Sequence, residues 1–125
     1  MCPTAPEILT SGPRDPDLEA KIYLLTTDEG GRQSGVASGY RPDHNFERED
    51  PNELNGAQHE YPGGGTLDLG ETKRARLCLL APEKNAGRLY EGMAFTAQEG
   101  PRVVARGRIT RVLTLMLRCS SQADR

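Results

Sequence analysis

Glycine and proline punctuate this chain too often for long helices: 14 of its 125 residues are glycine and 9 are proline. The pattern is densest over residues 21–46. A run rich in apolar and β-branched side chains, Lys21 to Thr27, ends in Asp28-Glu29-Gly30-Gly31-Arg32, and Gly39-Tyr40-Arg41-Pro42 then leads into a second short run ending at Phe46. Glycine takes positive φ at little cost, while proline withholds a backbone donor and pushes its predecessor toward extended geometry. Such a stretch reads as a strand, a turning loop and another strand.

The same punctuation continues toward the C-terminus, and no segment shows a convincing amphipathic helical period. Strands are predicted over residues 21–27, 44–47, 54–61, 66–69, 73–80, 92–97 and 102–117, with a short pairing segment inside 28–38 and a loop or single helical turn over 83–91. Short strands separated by Gly/Pro turns imply an antiparallel barrel or sandwich. The predicted interior includes Ile22, Leu24, Leu77, Leu79, Phe95 and Ile109. Along the last strand Arg102, Val104, Arg106, Arg108 and Thr110 fall on one side and Val103, Ala105, Gly107 and Ile109 on the other, with a bulge after Arg111 where the parity swaps. Beyond it Leu113, Leu115 and Leu117 alternate with Thr114 and Met116, which predicts a longer final strand that covers an apolar face or pairs with a second copy as a homodimer. Pro3, Pro6, Pro13 and Pro16 mark residues 1–17 as an extended arm, residues 18–117 form the barrel, and residues 118–125 make a polar tail.

Hydrophobic residues are 35% of the chain, with no Trp and two Phe, so the core rests on Leu, Val, Ile, Tyr and Ala. Cys2, Cys78 and Cys119 form no C-x-x-C pair, and no apolar leader or membrane-length apolar run is present, which points to a reducing, cytoplasmic setting without membrane contact. Cys78 reads as a small core residue. Formal net charge is −2, but residues 1–60 carry 5 Lys/Arg against 12 Asp/Glu, whereas residues 61–125 carry 11 against 6. In a closed sheet this means either mutual neutralisation or a basic face.

Glu29-Gly30-Gly31-Arg32 and Gly39-Tyr40-Arg41-Pro42, at this separation, resemble motifs of the third, C-terminal domain of elongation factor Tu. The order continues with Leu69-Gly70-Glu71 in a turn, Arg76 to Pro82 as a strand ending at proline, Met93-Ala94-Phe95, and Glu99-Gly100-Pro101-Arg102 before a Val-rich strand. The resemblance spans about residues 19–113 and implies an all-β fold, a six-stranded antiparallel Greek-key barrel. It also implies a stand-alone, non-catalytic binding module that contacts a protein partner in or near the translation machinery, since the family's third domain packs against a second domain and meets the GTPase domain and exchange factor. The alternative is an RNA-binding domain that keeps part of the surface facing the T stem of aminoacyl-tRNA.

For that alternative the resemblance nominates Arg32, Gln33 in place of a histidine, and Glu99 with Gly100 in the last hairpin. Asp43 stands where the family has a Gln, and Asn52 stands approximately where it has a Thr; Asp43, Glu47, Glu49 and Asp50 give a field that repels phosphate. Arg32 either faces RNA or pairs with Asp28 or Glu29. Arg106 and Arg108 join Lys73, Arg74, Arg76 and Arg111 as a basic stripe if their strands pair, set for phosphate contact without base reading, or else as a solvated face partnered by Glu71 and Glu99.

Catalysis is not expected. A phosphate-binding loop needs Gly-Lys-Ser/Thr, no Gly-Lys pair occurs, and Gly63-Gly64-Gly65-Thr66 reads as a turn. His44 and His59 lack zinc-ligand spacing and are predicted to lie at the surface, so neither metal nor cofactor is expected.

Overall fold

Leu18, Ala20, Ile22 and Leu24 are fully buried while the residues between them turn outward, the two-residue alternation of a strand with one face on a core. The protein is described by a computed structural model over residues 15–46 and 53–118. The predicted arm through residue 14, the acidic segment 47–52 with Asn52, and the tail from residue 119 lie outside the described residues, as do Cys2 and Cys119.

Among the described residues there are eight strands: β1 (Leu18–Leu24), β2 (Val36–Ala37), β3 (Asp43–Phe46), β4 (Asn55–Glu60), β5 (Thr66–Leu67), β6 (Thr72–Leu79), β7 (Ala94–Glu99) and β8 (Arg102–Val112). Six close into a barrel in the order β1, β6, β4, β3, β7, β8, every neighbour antiparallel, and β2 pairs with β5 as a separate ribbon. The all-β, six-stranded antiparallel barrel therefore stands, and closing it leaves no edge among those six strands. All six predicted interior residues are buried, with Phe95 at 3% exposure the least covered. Phe95 lies opposite Gly107 on β8, and a Cβ there would stand 2.3 Å from the ring, so only glycine lets the aromatic cross the barrel.

Four expectations need correction. β1 begins at Leu18 and ends at Leu24, because Thr26 and Glu29 form a capping box that turns Thr27–Glu29 into a 3-10 turn. Val104 is buried, because β8 carries a bulge there as well as one at Thr110, next to the predicted site at Arg111. The segment after Leu113 does not lengthen the last strand. Leu113 N–H and the Thr114 hydroxyl are captured by Asp17, whose carboxylate also accepts from Leu79 N–H at 2.9 Å. Leu115–Leu117 then forms a 3-10 turn that buries Leu117 in its own core, accepts hydrogen bonds from Gly87 and Leu89, and leaves Leu115 79% exposed. The row of three leucines needed for strand pairing with a second copy is not formed.

The fourth correction concerns the histidines. His44 and His59 have no solvent exposure. β3 and β4 are short, and the alternation that puts Phe46 and Ala57 inside also puts His44 and His59 there. Each ring nitrogen finds a partner, which makes burial of the imidazoles tolerable.

Candidate functional site

The first surface nominated by the sequence is the loop carrying Arg32 and Gln33, and the structure brings it against the β7–β8 hairpin. Arg102 donates to the Gly31 carbonyl, and Arg32 pairs with Glu99 rather than with Asp28 or Glu29. Glu29 is occupied elsewhere, accepting from Thr26 N–H and from the Tyr23 hydroxyl at 2.7 Å. Tyr40 completes the cluster. Its hydroxyl donates to Glu99 Oε2 at 2.5 Å, and the Arg32 guanidinium lies 5.5 Å from its ring centroid.

Partial burial would raise the Glu99 carboxyl, but the Tyr40 hydroxyl and Arg32 outweigh it and hold the group below its ordinary value. Burial, then the bond to Glu99, drives the Tyr40 phenol upward. Arg32 and Glu99 thus neutralise one another, Arg102 is held by the neutral Gly31 carbonyl, Gly100 accepts from Gln98, and Gln33 is exposed. Asp43, on the neighbouring strand β3, adds a negative charge.

The second surface is the outer wall of β6, β1 and β8. Register places Lys21 opposite Arg74 on one side and Arg108 on the other; one step along, Glu19 sits between Arg76 and Arg111. Arg106 lies beside Tyr23 in the next row. Adjacent strands are about 4.8 Å apart and same-face residues about 7 Å apart along a strand, so these six cations share one small area with Glu19, while Glu60 of β4 lies opposite Arg76 and Glu29 acts on Arg106 at the margins. All six are exposed, and the contact between Arg76 and Glu19 is a loose 3.9 Å. Arg108 also donates to the Gly92 carbonyl. Lys73, by contrast, reaches Thr66 O and Glu71 at the end of the barrel and is not part of this array.

Arg106 and Arg108 therefore belong to the strand wall, away from the ion-paired loop of Arg32 and Glu99. Sequence reasoning missed Lys21, the cation that links β6 to β8, although its outward parity in the first strand was the signal that places it there. Neither Phe is exposed, and Tyr23 on the strand wall and Tyr40 in the loop cluster are half-buried with their hydroxyls tied to Glu29 and Glu99. Among the described residues no group of three His, Cys, Asp or Glu converges to hold a metal, and no helix is long and apolar enough to cross a membrane. No protein-family model matches the chain.

Proposed function

We propose that this protein is a non-catalytic binding module whose working surface is the cationic wall of β6, β1 and β8, and whose partner is a protein presenting an acidic patch, in or near the translation machinery. The carrying observation is the register that sets Lys21 between Arg74 and Arg108, with Glu19 the one carboxylate on these three strands and Glu60 and Glu29 meeting the array only at its margins, beside Arg76 and Arg106. Unmatched charge on a sheet face steers an oppositely charged partner and fixes its orientation. The resemblance to the third domain of elongation factor Tu supports a protein partner. So does the loop cluster, where the arginine that would meet RNA is neutralised by Glu99.

RNA is the second reading, favoured by the same array, because six cations at strand spacing suit a phosphate backbone. Contact made through phosphates alone would be independent of base identity. One experiment separates the two. Wild-type protein and a Lys21→Glu/Arg108→Glu variant are used as bait in cell extract with and without nuclease. A protein captured only by the wild type and retained after nuclease supports the first reading. Capture abolished by nuclease, with a gel shift of bulk tRNA that weakens steeply with salt, supports the second. Identical capture profiles for the two baits refute the cationic wall as the working surface.

A further inference from the structure

His44 and His59 meet inside the barrel with Nε2 to Nε2 at 2.7 Å. Such a contact has room for one proton, and the outer partners decide which ring supplies it. The Asn55 carbonyl, 3.2 Å from His44 Nδ1, only accepts, so His44 carries its proton on Nδ1 and presents a bare Nε2. His59 must then donate from Nε2, which leaves its Nδ1 to accept from the Tyr61 hydroxyl at 2.8 Å. The hydrogen bonds run one way, Tyr61 to His59 to His44 to Asn55, and satisfy every ring nitrogen with both rings neutral.

We propose that this chain of hydrogen bonds is an acid-sensitive lock on the β3–β4 wall, closed while both imidazoles are neutral and opened by proton uptake. A further proton on either ring places two N–H groups in the 2.7 Å contact, or forces His59 to turn its N–H on the Tyr61 hydroxyl. The charge would lie among Phe46 of β3, Leu77 of β6, and Phe95 and Ala97 of β7, with the Pro42 carbonyl also facing His44. No described carboxylate is bonded to either ring. Asp43 and Glu60 occupy outward positions of β3 and β4, and Arg32 and Glu99 are joined to each other beyond Tyr40. Burial pushes His44 down to about 4, and burial followed by the neighbouring His44 pushes His59 well below its ordinary value.

The lock reaches the loop surface through the backbone. His59 donates to the Tyr40 carbonyl, its own carbonyl accepts from Gly39, and the Tyr40 ring edge meets the His59 ring at 5.7 Å. Opening at His59 therefore frees Tyr40, and with it the contact that holds Glu99 and Arg32.

Unfolded histidine titrates near 6.5, so the neutral folded pair contributes its full stability above that pH and loses it as pH falls toward about 4. These are the only two histidines in the chain. Nitrogen-15 NMR of the imidazoles at pH 7 is expected to show the Nδ1–H tautomer for His44 and Nε2–H for His59, neither titrating down to pH 5.5 while folded. Matching tautomers, or a midpoint near 6.5, overturn the proposal. Denaturant melts between pH 7.5 and 4.5 are expected to show the unfolding constant rising toward tenfold per pH unit for each histidine, a component absent from His44→Phe/His59→Leu. An equal pH dependence in that double variant overturns the lock. Should the variant fail to fold, the tautomers and titration of the wild type decide alone.

Discussion

Two halves of one barrel wall share the same antiparallel pairing and carry opposite chemistry. β6, β1 and β8 bear eight Lys/Arg and one carboxylate, Glu19, on strands whose inward residues are apolar. β4, β3 and β7 bear Asp43, Glu60 and Glu99 with no Lys or Arg, and turn His44, His59 and Asn55 inward. A cation near the second half, Arg41, precedes β3 and donates to Gln58. One half thus keeps its unmatched polarity outside, where water solvates it and a partner can use it. The other keeps polarity inside, where every donor needs an assigned acceptor. Substitutions on the first half should therefore change binding, and those on the second should change stability.

The largest effect is expected where the halves meet. Phe95 of β7 lies against Gly107 of β8, and Phe95→Ala should cost about 3–5 kcal/mol in denaturant melts. A loss under about 1 kcal/mol would mean that the two halves do not share this core. Acidification should come next and act on the histidine half alone: a folded His44 pulled from 6.5 to about 4 corresponds to a loss of order 3 kcal/mol as pH falls through that window. A melt equally stable at pH 7 and pH 4.5 would remove the contrast.

Asp17→Ala should cost about 1.5–3 kcal/mol, because Leu79 N–H and the Thr114 hydroxyl lose a charged acceptor and the Leu115–Leu117 turn loses its anchor. Faster amide exchange at Leu79 and Leu113 is the accompanying signature. Arg32→Ala should cost under about 1 kcal/mol, since the ion pair with Glu99 is partly exposed. Smallest of all, Lys21→Glu/Arg108→Glu should leave the melting curve within roughly 0.5 kcal/mol per site while removing partner capture. A large destabilisation there would show that the cationic wall is structural.

Much of the architecture was legible because strands obey a local rule. Alternation named Ile22, Leu24, Leu77, Leu79 and Ile109 as interior, and Gly63-Gly64-Gly65 formed the expected turn with positive φ at Gly63 and Gly64. The final segment misled because alternation of Leu113, Leu115 and Leu117 is also compatible with a 3-10 turn. Asp17, distant in sequence, captures Thr114 and decides between the two. The site was legible only in pieces. Arg106 and Arg108 were visible on one face of one strand, but Lys21 joins them across a pairing that no local pattern reveals.

The sequence by itself determined the all-β class, the turns and most inward positions, because φ freedom at glycine, missing donors at proline and two-residue alternation act over a few bonds. Tertiary closure decided the rest. It placed β1 between β6 and β8 and put β7 beside β3, so that the acidic and basic halves of the sequence interleave, with Lys21 joining the arginines of β6 and β8 and Glu99 joining Asp43 and Glu60 on the opposite wall. It also brought two histidines fifteen positions apart within one hydrogen bond, in an interior where water cannot replace either partner. Charge complementarity and buried hydrogen bonding depend on distances through space, and only the closed sheet sets those.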